Sequence, residues 1–106
     1  MGAYFNLDPE GLQELLSGSP MLIDVRTDRE VERGLIPGAR HIPLHMLPAR
    51  LEEIAQDCAV VIYCQSGVRS AQASNFLADN GWSQVYNLAG GFGAWIARGY
   101  PVAQYG

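Results

Sequence analysis

Residues 59–63, Ala-Val-Val-Ile-Tyr, form an apolar run that stops at Cys64 and a glycine-containing loop. The β-branched and aromatic side chains predict a short buried strand. The loop Gln65-Ser66-Gly67-Val68-Arg69 leads into a predicted helix over 70–80, with Ala73, Phe76 and Leu77 on one stripe. A strand–loop–helix turn of this kind aims backbone N–H groups and the positive end of a helix at the loop centre. A thiol held there ionises more readily than a free one, and the thiolate is the nucleophilic form. Arg69 adds a fixed cation. A cysteine ending an apolar strand is by itself more often an inert buried thiol. The Gly and Arg that follow at fixed offsets favour a sulfur nucleophile that meets an anion.

The rest of the chain supplies the layers around that turn. Asp8-Pro9 reads as the N-cap and first position of a helix carrying Leu12, Leu15 and Leu16, which Ser17-Gly18 ends. Residues 21–25 predict a buried strand. Thr27 and Glu30 form a capping box that opens a short charged helix reaching Arg33, whose charges are read as a solvated face. After the turn-rich 34–39, residues 40–42 predict a short strand stopped by Pro43, and 49–54 another short helix. Asn80-Gly81 is a predicted C-cap with Trp82 packing back on Leu77. Residues 85–88 predict a further strand, and 92–98 a helix closed by Gly99. Alternating strands and helices imply a parallel sheet covered on both faces, with ligands bound beyond the carboxyl ends of its strands, where Cys64 falls.

Composition narrows the chemistry. The chain of 106 residues is expected to be one domain, with its core over about 5–102 and no repeat, linker or low-complexity segment. No apolar run approaches the ~20 residues of a membrane span. The N-terminus lacks a basic segment followed by an apolar one, so the expected location is the cytoplasm. The net charge is −4, with seven arginines and no lysine. That argues against a nucleic-acid surface and removes Schiff-base and P-loop lysine chemistry. Two cysteines make neither a disulfide framework nor a four-cysteine zinc site, and Cys64 is best read as a free thiol in a reducing compartment.

Other candidates have plainer readings. His41 and His45 are four apart, but Pro43 lies between them and no third ligand is apparent, so no metal site is expected. Gly90-Gly91-Phe92-Gly93 lacks dinucleotide-loop spacing and reads as a tight turn with close packing. Asp24 ends its strand near Cys64. A general base, a partner for Arg26 and a loop cap are all open readings, and Asp24 is not assigned to the chemistry. Cys58 is separated from Cys64 by the intervening strand, roughly 20 Å at ~3.3 Å per residue, and is read as structural.

Several stretches together resemble the rhodanese family of sulfurtransferases. Leu22-Ile23-Asp24-Val25-Arg26 is similar to the family's Asp-Val-Arg segment. Residues 34–43, Gly-Leu-Ile-Pro-Gly-Ala-Arg-His-Ile-Pro, resemble its Gly-His-Ile-Pro-Gly-Ala block, with Leu35 in place of the usual histidine. Cys64-Gln65-Ser66-Gly67-Val68-Arg69-Ser70 matches the active-site loop of single-domain members. Leu88-Ala89-Gly90-Gly91-Phe92, Ala94-Trp95 and Gly99-Tyr100-Pro101-Val102 resemble the C-terminal signature. The blocks occur in family order.

The resemblance implies an α/β three-layer sandwich around a central five-stranded parallel sheet. It also implies a persulfide mechanism that needs no metal or organic cofactor. Cys64 would take the sulfane sulfur of thiosulfate or a persulfide. It would pass that sulfur to a thiophilic acceptor, which is cyanide in an assay and a thiol or thioredoxin-like protein in a cell. Backbone N–H groups of Gln65, Ser66, Gly67, Val68, Arg69 and Ser70 would cradle the transferred sulfur. Arg69 would bind the donor or fix the loop carbonyls. Neutral Gln65 stands where many thiosulfate-using members carry a basic residue, which makes a persulfide a candidate donor beside thiosulfate. Phosphatases and arsenate reductases of the same fold use Cys-x5-Arg, whereas here four residues separate Cys64 from Arg69, a ring suited to a single sulfur atom. A non-catalytic partner-binding module is the other alternative, and the intact Cys64 argues against it.

Overall fold

Three largely buried runs and two short edge segments become the strands of one sheet in a computed structural model that describes residues 3–105. The strands among the described residues are β1 (Phe5–Leu7), β2 (Met21–Asp24), β3 (Arg40–His41), β4 (Val60–Tyr63) and β5 (Val85–Leu88). The α-helices are α1 (Pro9–Leu15), α2 (Asp28–Val31), α3 (Val68–Asp79) and α4 (Gly91–Ala97). The strand order is β1-β5-β4-β2-β3 and every pairing is parallel, so β4 lies at the centre.

The two-residue period of β4 divides the core. Val60 and Ile62 face one layer with Cys64, against Ala73 and Leu77 of α3 and Leu47. Val61 and Tyr63 face the other, against Leu12 of α1 and Phe92 and Trp95 of α4. This is the expected three-layer α/β sandwich on a five-stranded parallel sheet. Register pairs Asp24 with Tyr63 and Ile62 with Asn87, so Asp24, Tyr63 and Asn87 all lie at the end of the sheet where Cys64 emerges.

Local signals behave as their chemistry dictates. The Asp8 side chain accepts the Gly11 N–H at 2.8 Å, and Pro9 opens α1. The Thr27–Glu30 capping box is present in both directions. Trp82 N–H donates to the Leu77 carbonyl at 3.1 Å, and its ring joins the core containing Leu77.

Three features differ from the element-by-element reading. β1 carries no strand pattern of its own and is partly exposed; it exists by pairing Asn6 and its neighbours along β5. The helix expected at 49–54 is a 3₁₀ segment, Leu44–Glu53, broken at Arg50 (φ −124°, ψ 25°), with Pro48 inside it. Proline gives no N–H to an α-helical ladder, so tighter short turns result. Finally, α3 starts at Val68, two residues early, because Gly67 at φ 99° supplies the turn into the helix.

Candidate active site

The Cys64 side chain, buried at the C-terminal end of β4, meets a convergent set of donors. The Gly67 N–H reaches Sγ at 3.1 Å, and the Ser70 N–H and Ser70 Oγ each reach it at 3.4 Å. Two constraints fix glycine at 67. Its φ of 99° is in the left-handed region, and a Cβ there would stand 3.1 Å from Gly90 N. The loop closes tightly enough for Ser70, in the first turn of α3, to face back onto the sulfur.

N–H groups point inward because the loop carbonyls are held elsewhere. Cys64 O accepts from Phe92 N at 2.8 Å, Gln65 O from Gly93 N at 3.1 Å, and Gly67 O from Asn87 Nδ2 at 3.3 Å. A Cβ on Gly91 would stand 2.5 Å from Cys64 O and 2.6 Å from Gln65 O. The Gly90-Gly91 turn is therefore the close packing expected of it, and what it packs against is the cysteine loop. This anchoring by Phe92, Gly93 and Asn87 was not visible in the sequence, where each lies 20 or more positions from the carbonyl it holds.

Electrostatics favours the thiolate. Burial raises the Cys64 pKa, but hydrogen bonds from the Ser70 hydroxyl and N–H and from the Gly67 and Ser66 N–H groups outweigh it. The net position is below the ordinary thiol value, the direction expected for sulfur at a helix start.

Arg69 lies in a fork with Glu30, Nη1 to Oε1 at 2.7 Å and Nη2 to Oε2 at 2.9 Å. Glu30 Oε1 also accepts the Thr27 N–H at 2.9 Å, so one carboxylate both caps α2 and ties it to α3. The hydrogen bond from Arg69, with Thr27 assisting and burial opposing, brings the Glu30 pKa down to about 2.

Asp24, left open by the sequence, does both structural jobs. Its Oδ1 accepts the Arg26 N–H at 2.8 Å, and its two oxygens take the Arg26 guanidinium, with Nη2 to Oδ2 also at 2.8 Å. Arg26 is almost wholly buried, lies over the Phe92 ring at 4.2 Å and donates to the Gly34 carbonyl at 2.7 Å and to Gln65 Oε1 at 3.2 Å. In the sequence Arg26 stands as a candidate partner for Asp24 and as the end of the Asp-Val-Arg segment, with no contact to the cysteine loop expected of it. Its position two residues after a buried strand-end carboxylate was the available signal. Beside it, burial first and the Asp24 charge second push the Tyr63 phenol well above its usual range, and its oxygen accepts the Ile36 N–H.

The remaining predicted residues separate by role. Gln65, Ser66 and Val68 are exposed on the outer side of the loop. His41 is half-buried and its Nε2–H donates to the Arg26 carbonyl at 2.7 Å, whereas His45 is exposed. Among the described residues no three His, Cys, Asp or Glu side chains gather as metal ligands. Cys58 and Cys64 are both free. Among the described residues no helix is long and apolar enough to cross a membrane.

A parallel α/β sheet that ends its central strand in a cysteine ringed by inward N–H groups defines a class of thiol-centred α/β proteins. The chain belongs to the rhodanese-like domain family, whose model matches residues 8–98. It is 43% identical over 98 residues to a protein of Allochromatium vinosum named sulfurtransferase, covering 91% of this chain and 92% of that one. It is 33% identical over 97 residues to thiosulfate sulfurtransferase GlpE of Ectopseudomonas mendocina, covering 92% and 89%. Among solved structures, the rhodanese-related protein of Thermoplasma volcanium superposes with a TM-score of 0.89 at 29% identity, over 96% of this chain and all of that one.

Proposed function

We propose that this chain is a sulfurtransferase that carries sulfane sulfur on Cys64. The observation that carries the reading is the cradle around Sγ, in which Gly67 N–H, Ser70 N–H and Ser70 Oγ converge on one sulfur atom. The names of the relatives from Allochromatium vinosum and Ectopseudomonas mendocina support it.

In the loading step the Cys64 thiolate attacks the outer sulfur of thiosulfate or of a persulfide. A Cys64 S–S bond forms, the donor's S–S bond breaks, and sulfite or a thiolate leaves with the electron pair. N–H groups that stabilise the thiolate also stabilise negative charge on the terminal persulfide sulfur, with no reorganisation of the loop carbonyls. A thiol or a thioredoxin-like protein then takes the outer sulfur and returns the thiolate. Gln65, Ser66, Val68 and Arg69 complete the donor-facing surface of the loop. A reducing cytoplasm suits a free nucleophilic thiol.

The test is intact mass after incubation of the reduced protein with thiosulfate or glutathione persulfide. A gain of about 32 Da, one sulfur on the thiol, that Cys64→Ser abolishes is the expected result. No gain from either donor would overturn the reading and leave partner binding as the leading account. For the donor, Gln65→Arg is expected to lower the thiosulfate KM; an unchanged KM would count against a role for the neutral residue in donor choice.

A further inference from the structure

Seven arginines carry all the Lys and Arg charge of this chain, and five of them are engaged. Arg26 pairs with Asp24, Arg50 with Glu53, Arg69 with Glu30 and Arg98 with Glu10, while Arg40 donates to the Glu53 carbonyl. Among the described residues, Arg29 and Arg33 have no such partner. Both are exposed, four positions apart, and both line one hollow of about 430 Å³ between α2 and α4. Phe92 and the half-exposed Ile96 give this hollow an apolar side, and Gln65 forms the edge toward the cysteine loop. Its one acidic lining residue, Glu30, is committed to Arg69 and Thr27. Asp28 and Glu32, on the same short segment, do not line it. The hollow meets the outer side of the cysteine loop, where Gln65 lines it and where the Phe92 N–H holds Cys64 O.

Unpaired guanidinium groups at the rim of a part-apolar hollow suit carboxylates, which they bind through forked, charge-assisted hydrogen bonds. The volume is in the range of small-molecule sites and far exceeds what a thiosulfate ion fills. We infer that this hollow seats the body of the sulfur donor, that the donor is a low-molecular-weight thiol persulfide bearing carboxylates, and that Arg29 and Arg33 select it. The inference rests on the sulfur-transfer reading above and names its donor class. The step balances as Cys64–S⁻ plus R–S–SH giving Cys64–S–SH plus R–S⁻. The Cys64 sulfur is oxidised, the inner sulfur of the donor is reduced and leaves with the electron pair, and the proton stays on the transferred sulfur.

The test compares glutathione persulfide, which carries carboxylates, with hydroxyethyl persulfide, which has an uncharged body. In the unsubstituted protein kcat/KM is expected to favour glutathione persulfide. In the double variant Arg29→Gln, Arg33→Gln that preference is expected to fall by about tenfold, mainly through KM, as two partly screened charge contacts are lost. A second readout needs no turnover: S-methylglutathione should bind the Cys64→Ser protein and bind it more weakly once Arg29 and Arg33 are also replaced. An unchanged preference, or equal binding with and without the arginines, would overturn the inference while leaving Cys64 loading intact. Failure of the sulfur reading itself shows differently, as no mass gain on the unsubstituted protein with any donor, and would overturn both.

Discussion

The Phe92 N–H donates to the Cys64 carbonyl at 2.8 Å, so the start of α4 holds the peptide group of Cys64 itself. That contact is possible only because Gly91 has no Cβ. Gly91→Ala would add an atom 2.5 Å from Cys64 O at a backbone φ of +60°. We expect about 1–3 kcal/mol of destabilisation from the strained backbone alone, and a displaced cysteine loop. Urea unfolding gives the first effect. The second should appear as a slower Cys64 alkylation at a pH where the thiol is ionised. A variant as stable and as reactive as the parent would contradict the anchoring role.

Ser70 contributes both a hydroxyl and an N–H to Sγ, and only the hydroxyl can be removed by substitution. Ser70→Ala should raise the Cys64 pKa. A hydrogen bond to a charged group is worth about 1.5–3 kcal/mol, so the thiolate-to-thiol ratio at a given pH should fall by about tenfold or more. The pH profile of alkylation, or of sulfur loading, should move to higher pH. The sign for stability follows from the depressed pKa of the native thiol. The ionised cysteine stabilises the fold fully above the unfolded pKa, and that stability is lost as pH falls through the lower native one. Ser70→Ala should shrink that pH-dependent part. An alkylation profile that does not move would show that the backbone N–H groups alone set the pKa.

The sheet and the position of Cys64 at the end of its central strand were legible because their signals are local. β-branched runs give β2, β4 and β5, the Thr27–Glu30 box opens α2, and Asp8-Pro9 opens α1. The cysteine, glycine and serine of the loop were also legible, since one strand end and one helix start bring them together. What stayed hidden depends on tertiary pairing. β1 is strand only because β5 offers it an edge. Asn87 reaches Gly67 O, and Phe92 reaches Cys64 O, only after β4 and β5 lie side by side. The sequence offered Arg69 as a donor ligand or as support for the loop carbonyls. In the fold those carbonyls are held by Phe92, Gly93 and Asn87, and Arg69 is forked onto Glu30.

Glu30→Gln isolates that fork. With a native pKa of about 2 against an ordinary value of 4.5, Glu30 adds stability that is complete above pH 4.5 and lost as pH falls toward 2. The pair is about one-third exposed, so screening limits its worth to about 1 kcal/mol. Urea midpoints at about pH 5 and about pH 3 should therefore differ less for Glu30→Gln than for the parent. Equal acid sensitivity would place the lost stability on other carboxylates.

Asp24→Asn separates structure from chemistry at the residue for which the sequence left three roles open. The carboxylate is wholly buried, and both its oxygens are taken up by Arg26. Replacing it leaves a buried guanidinium without its counter-charge, a change that typically costs about 3–5 kcal/mol. Arg26 also holds Gln65 Oε1 and packs over Phe92, so some loosening at the loop is expected along with lower stability. A general base would behave differently. Losing it would remove a limb from the pH profile of kcat/KM, whereas losing a structural counter-ion lowers the whole profile and keeps its shape. We expect the second pattern, with a clear drop in the urea midpoint. A missing limb at undiminished stability would return Asp24 to the chemistry.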